Sequence, residues 1–188
     1  MSKEDVDELD LRIIKSLSED CGKSTTKIAK EVGSSRPTVI ARVAKLKESK
    51  IVDCGAKVNV SKLGFKLASI HLEAKDAQSE EQLVATLTKC PRLLQLFQIS
   101  GKPIYLALVY TENAETLLST IDCLSAVLNA KTISYQRVIP LIDQAFNLRI
   151  SLEKCDVTPC GKECGLCIAY KQNECFGCPS TKAYKGQI

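Results

Sequence analysis

The chain has 188 residues, 45 % of them apolar and 26 % charged, and a net charge of +4. That balance excludes a disordered chain, and the lack of Trp with only 5 % aromatics leaves the cores to aliphatic side chains. No run approaches the roughly 20 apolar residues that span a bilayer, and the acidic, polar start lacks the basic and apolar regions of a secretory signal. A cytoplasmic protein with no membrane partner is therefore expected.

Charge is unevenly spread. Residues 23 to 50 hold eight Lys or Arg against two Glu, whereas residues 1 to 20 are acidic. Leu9, Ile13 and Leu17 recur at helical spacing, with Ile14 widening the stripe. A short second helix follows, capped by Ser24, carrying Ile28 and Val32 four apart, and ended by Gly33. A third starts at Ser34 or Ser35 with Pro37 in its first turn, where a missing N–H costs nothing. Val39, Val43 and Leu46 share its inner face. Two short helices separated by a glycine turn, the second one basic, form a helix-turn-helix pattern. Residues 51–60, "IVDCGAKVNV", have the extended, β-branched character of a wing strand.

From about 60 to 150 strand and helix patterns alternate. "FKLASIHLEA" reads as a half-buried strand, and "SEEQLVATLTKC" as a helix with Leu83, Val84 and Leu87 inward, stopped by Pro91. "RLLQLFQISG" and "PIYLALVYT" are two strands joined across Gly101 and Lys102. A second helix carries Leu117, Ile121 and Leu124, and "KTISYQRVIPLI" is the last strand. The order strand–helix–strand–strand–helix–strand is that of a ferredoxin-like sandwich, which leaves one sheet face free of its own helices. Such an apolar face usually finds a partner, so a homodimer or higher homo-oligomer is expected.

The last fifth is different. Six of the ten cysteines fall between Cys155 and Cys178 in the spacing C-x4-C-x3-C-x2-C-x7-C-x2-C. A piece this short rarely folds without metal, disulfide or partner. Two C-x2-C pairs, Cys164/Cys167 and Cys175/Cys178, each suit a turn that aims two sulfurs at one ion, with Gly165 and Gly177 supplying backbone freedom. Their separation is short for a zinc ribbon, so Cys160 joins Cys164, Cys167, Cys175 and Cys178 as a candidate ligand. Zinc is the first expectation. An iron–sulfur cluster is the alternative, supported weakly by the terminal Cys178-Pro179, and disulfide or thiol-switch chemistry also remains open. Cys21, Cys54, Cys90 and Cys123 read as lone packed thiols, and His71 as a packed or interface imidazole.

Residues 7 to 142 resemble the leucine-responsive regulator (Lrp/AsnC) family. The resemblance rests on "LDLRIIKSLSED", "KIAKEVGSSRPTVIARVAKLKESKIV", "VNVSKLGFKLASIHLEA" and the order of the later elements. It implies an α+β chain: a winged helix-turn-helix with hinge over 1–58, and a ferredoxin-like sensing and dimerisation domain over 59–150. The cysteine-rich knuckle, 151–188, is an addition to that pattern and resembles a small cysteine-rich module of unknown function. Ser35, Arg36, Pro37, Thr38, Ala41, Arg42 and Lys45 fall where the family presents its recognition helix to double-stranded operator DNA. Arg36 and Arg42 suit guanine or phosphate because a guanidinium binds in a fork. Lys27, Lys30 and Lys45 add phosphate attraction that weakens with salt.

One departure concerns the effector. The family's loop commonly reads Gly, two residues, then Asp; here Gly101 is kept but Ile104 stands where the acid is expected. An ammonium group loses its carboxylate partner there, which weakens the case for amino-acid sensing. No catalytic constellation is present: there is no phosphate-cradling glycine loop, and His71 is the only histidine. The leading expectation is a DNA-binding transcription regulator, not an enzyme, whose cysteines bind metal and report metal or redox state. Its rivals are an iron–sulfur or dithiol electron carrier with a secondary DNA module, and an architectural DNA-binding protein held by a purely structural metal.

Overall fold

The computed structural model describes residues 6–100, 104–128 and 130–188. The chain divides between Ala56 and Lys57 into two compact units. The first holds α1 (Glu8–Glu19), α2 (Thr25–Val32) and α3 (Arg36–Glu48). Ile13, Leu17, Ile28, Ala29, Val32, Val39 and Leu46 make its core, so the three helical stripes read from the sequence meet one another. Each helix starts where a short polar side chain can take an orphan N–H. Asp7 and Asp10 form a reciprocal capping box on α1, Ser24 accepts from the Lys27 N–H, and Ser35 from the Thr38 N–H.

Gly33 closes α2 in the left-handed region at φ 69°. A Cβ there would meet nothing within 4 Å, so only the backbone objects to a side chain. Gly33→Ala should therefore cost about 1 kcal/mol, and Gly33→Asn less, in urea unfolding of the full chain.

The expected wing strand is not formed. Residues 51–57 make no ladder, and the one bridge nearby joins Val58 to Phe146 within the second unit. Instead Cys21, in the α1–α2 turn, is disulfide-bonded to Cys54, with Cα atoms 5.8 Å apart across 33 residues. These two were expected as lone thiols; the helical packing brings them together.

The second unit is built on one antiparallel sheet of β1 (Lys66–Ala74), β2 (Leu93–Ile99), β3 (Ile104–Thr111) and β4 (Ala130–Val138), in the order β2-β3-β1-β4. Helices α4 (Ala77–Leu87) and α5 (Ala114–Leu128) cover one face over Ile70, Leu72, Leu83, Leu87, Tyr105, Ala107, Val109 and Leu124. This is the ferredoxin-like sandwich. Gly101 and Lys102, expected to turn between β2 and β3, lie outside the described residues. Ile104 opens β3, paired with Ile99 and Glu73.

The other face carries Leu67, Tyr110, Leu94 and Leu108, which pack with Val60, Phe65, Phe146 and Leu148. Phe97 and Ile99 on β2 stay exposed. His71 also lies on this face and shares a hydrogen bond with the Ser134 hydroxyl at 3.0 Å through Nδ1, a packed imidazole as expected.

Asp76 caps α4, and the Ser79 N–H and hydroxyl hold its carboxyl below the ordinary 3.8. Asp7 is held low by the Asp10 N–H and then by Arg42. A carboxyl whose folded value is depressed stabilises the fold above its unfolded value, and that stability drains as pH falls through the depressed one. Melting temperature should be level from about pH 5 to about pH 7 and fall progressively below 3.8. In Asp76→Asn the fall should be shallower; a fall as steep as in the parent would rule out the cap as a contributor.

Candidate nucleic-acid interface and cysteine site

The α1–α2 side of the first unit is braced. Glu31 takes a hydrogen bond from the Ser16 hydroxyl at 2.7 Å and an ion pair from Lys23 at 2.9 Å. Both partners hold its carboxyl low, Ser16 most. On α3, the outward positions are Arg36, Pro37, Thr38, Ala41 and Lys45, all exposed, with Ser35 at the cap. The Ser35 and Thr38 hydroxyls bond each other at 2.7 Å, so both oxygens are occupied in shaping the first turn. Exposed Lys27 and Lys30 stand on α2. In the first turn of α3 the Thr38 N–H is taken by Ser35 and Pro37 has none, so this surface offers chiefly the exposed cations Arg36 and Lys45, the chemistry that phosphate oxygens and base edges require.

Arg42 differs from the expectation that paired it with Arg36 as a reader. Its Nη1 bridges Asp7 at 2.6 Å and Asp10 at 3.0 Å. The Asp10 side chain is only 4 % exposed, and one of its oxygens has no hydrogen-bond partner, so Arg42 neutralises a buried charge at the start of α1. Its hydrogen bond to Asp7 and the charge of both acids raise the Arg42 pKa. Arg42 is first a brace between α1 and α3, whereas Arg36 is exposed.

The cysteine segment is not a free appendage; it lies within the second unit. A short turn over Cys164–Leu166 leads into α6 (Ile168–Lys171). The chain end returns to pair Cys155 with Thr181 in a parallel bridge. A buried ion pair anchors it: Arg92 meets Glu112 at 2.8 Å, with side chains 4 % and 8 % exposed. From Arg92, Nη2 reaches the Gly177 carbonyl at 2.5 Å, and the Tyr184 hydroxyl donates to Glu112 at 2.7 Å. The Phe176 N–H donates to Thr116 of α5 at 3.2 Å. Burial alone would disfavour charging Arg92, but Glu112 overrides it and the pKa is raised. Burial and the Glu112 hydrogen bond raise the Tyr184 hydroxyl well above its usual value.

This docking assembles a site that the spacing did not reveal. One cavity is lined by Cys160, Cys164, Cys175 and Cys178 from the tail, and by Cys90 and Cys123 from the sheet domain. Cys90 sits in the α4–β2 turn and Cys123 on α5. Cys167 lines an adjoining cavity with Cys123, Cys164 and Cys175, while Cys155 is exposed and lines neither. Hydrogen-bond partners surround the tail sulfurs. The Gly177 N–H donates to Cys175 at 3.4 Å, and the Thr158 and Ser180 hydroxyls lie 3.0 and 3.2 Å from the sulfurs of Cys160 and Cys178.

Gly177 adopts φ 79°, and a Cβ there would stand 3.0 Å from the Ala183 carbonyl, so this knuckle does need glycine. Gly165 shows no such requirement. Burial, then neighbouring thiols, push Cys123 up to about 11, and burial does the same for Cys90. Among the described residues no three Cys, His, Asp or Glu side chains converge closely enough to hold a single metal ion.

A helix-turn-helix with an exposed basic helix, joined to a ferredoxin-like sandwich, defines a DNA-binding transcription regulator. Residues 6–47 match the model of the AsnC-type helix-turn-helix domain. The chain is 31 % identical over 120 residues to the HTH-type transcriptional regulator LrpA of Pyrococcus abyssi, covering 62 % of this chain and 84 % of that protein. It is 31 % identical over 114 residues to the regulator Ptr1 of Methanocaldococcus jannaschii, covering 60 % and 76 %. The leucine response regulatory protein LrpA of Mycobacterium tuberculosis shares the fold, with a TM-score of 0.66 at 20 % identity over 71 % of this chain and 92 % of that one. The chain belongs to the Lrp/AsnC family of transcription regulators. No helix among the described residues is long and apolar enough to cross a membrane.

Proposed function

We propose that this regulator reads its operator as a homodimer through α3 and adjusts that binding through its cysteine site. Ser35, Arg36, Pro37, Thr38, Ala41, Arg42 and Lys45 form the reading surface, with Arg36 the principal base or phosphate contact. The open sheet face with Phe97 and Ile99 supplies the dimer contact. Cys160, Cys164, Cys167, Cys175 and Cys178 bind zinc or an iron–sulfur cluster, and its loss or oxidation changes operator affinity.

One observation carries the sensing part: the tail thiols gather against α5 and the α4–β2 turn of the sheet domain instead of standing apart from it. A metal bound there touches the domain that, in the family pattern, holds effectors. A related regulator of M. tuberculosis has been solved with L-methionine. In this chain Ile104 replaces the acid that would meet an amino-acid ammonium group, which shifts the sensing role toward the cysteines.

The test uses full-length protein purified without oxygen. Operator affinity, footprint and oligomeric state are measured as isolated, after chelation and after peroxide. The expected change in affinity is about 5- to 150-fold, the usual span of coupling between sites. Unchanged affinity, footprint and assembly would leave only a structural staple. A reversibly reducible chromophore in a protein without operator binding would support an electron carrier instead.

A further inference from the structure

The cavity itself narrows the choice of metal. It measures about 70 Å³. A single zinc ion bound by thiolates at about 2.3 Å needs their sulfurs about 3.8 Å apart, and among the described residues no three ligating side chains converge that closely. Six soft thiols ring the cavity, together with Pro91, Leu124 and Pro159, so its wall suits soft-metal chemistry and offers water little. A cubane iron–sulfur cluster fits these requirements. Its irons and sulfides fill a volume of several atoms, and it keeps its cysteine sulfurs farther apart than one ion does.

We infer that this cavity is the seat of a four-iron, four-sulfide cluster held by Cys160, Cys164, Cys175 and Cys178 and closed by Cys90 and Cys123 of the sheet domain. The four tail thiols lining the cavity match the ligand number of a cubane. Cys155 lies outside it, and Cys167 faces the adjoining space. Each ligating thiol releases its proton to solvent on binding. The Gly177 N–H and the Thr158 and Ser180 hydroxyls are placed to hydrogen-bond the thiolates, which stabilises their charge. Lys162 in the wall offsets part of the net negative charge of a thiolate-bound cluster, Arg92 being already paired with Glu112.

The site is composite. A cluster here cannot form or leave without altering the contact between the tail and α5, so occupancy is registered by the sheet domain directly. This inference rests on the reading of the tail as metal-binding, and the test separates the two. Full-length protein is stripped, then offered ferric iron and sulfide with dithiothreitol, with equimolar zinc in competition, under nitrogen.

Iron, acid-labile sulfide and zinc are then measured. Labelling of Cys123 and Cys155 by N-ethylmaleimide is followed by mass spectrometry in loaded and stripped protein. The expected result is about four iron and four sulfide per protomer with a broad absorption near 400 nm. That content should be lost in Cys175→Ser and in Cys160→Ser, and kept in Cys155→Ser. Loading should slow labelling of Cys123 at least about tenfold while Cys155 reacts as before, a readout that needs no variant to fold.

Bound zinc without sulfide would overturn the cluster and leave the metal-binding tail standing. Equal labelling of Cys123 in both forms would overturn its placement against α5. Retention of neither metal would remove both readings.

Discussion

Arg92→Met should lower the stability of the sheet domain by about 3–5 kcal/mol, read as a lower urea midpoint at unchanged slope. The pair it breaks is buried on both sides, with Arg92 4 % and Glu112 8 % exposed. Removing the guanidinium leaves a carboxylate out of water with only the Tyr184 hydroxyl and local dipoles to face it. It also frees the Gly177 carbonyl, which is the docking point of the Cys175–Cys178 knuckle. The double variant Arg92→Met/Glu112→Leu should recover most of the loss, because the penalty lies in the orphaned charge more than in the missing attraction. A loss below about 1 kcal/mol in the single variant would mean that water reaches Glu112 and that the anchor is not dry. Limited proteolysis adds a local readout: the tail should be cut faster in Arg92→Met than in the parent.

That anchor is what turns a cysteine-rich extension into part of a domain. Tyr184, Gly177 and Phe176 each reach back to Glu112, Arg92 or Thr116. Ile188 packs beside Phe65 and Tyr110. A segment with few large apolar side chains borrows its stability from a neighbour's buried charge and from the edge of a neighbour's core. A metal of the kind proposed above would add to a docked segment and would not have to fold it alone.

Much of the fold was legible because its determinants are local. The stripe Leu9–Ile13–Leu17, the Ser24 and Ser35 caps and the Gly33 stop are spaced within one or two helical turns, and each does what its spacing requires. The strand–helix–strand–strand–helix–strand order likewise pointed to the sandwich. The failures share one cause: they depend on residues distant in sequence.

Nothing in the sequence singles out Arg92; Glu112, 20 residues on, and Gly177, 85 residues on, arrive beside it only in the fold. Cys90 and Cys123 are packed thiols as read, but their place in the wall of the tail cavity appears only once the tail docks on α5 and the α4–β2 turn. Cys21 and Cys54 become a pair only when three helices close. For the wing, β-branched residues at 51–60 suggested a strand, but a strand needs a ladder partner as well as propensity. On the reading surface, the pairing of Arg42 with the acids of the α1 capping box likewise joins residues more than 30 positions apart and shows only in the fold.

Arg36 and Arg42 therefore separate two effects that an alanine scan of α3 would otherwise merge. Arg36→Ala should weaken operator binding by about 5- to 150-fold if its fork reads a base, with no change in melting temperature. A contact to phosphate alone would instead weaken all sequences alike and shallow the slope of log affinity against log salt by about 0.9. Arg42→Ala should lower the melting temperature of the HTH unit, because Asp10 is buried with one oxygen already unpartnered and would lose its cation. Its operator affinity should fall by a smaller factor once protein is compared at equal folded fraction. Binding is best measured on a duplex selected by the parent protein from a random pool, at two salt concentrations, beside thermal melts of the same preparations. If Arg42→Ala melts like the parent but loses binding as Arg36→Ala does, the guanidinium leaves Asp7 and Asp10 for DNA, and the brace is exchanged for a contact when the operator binds.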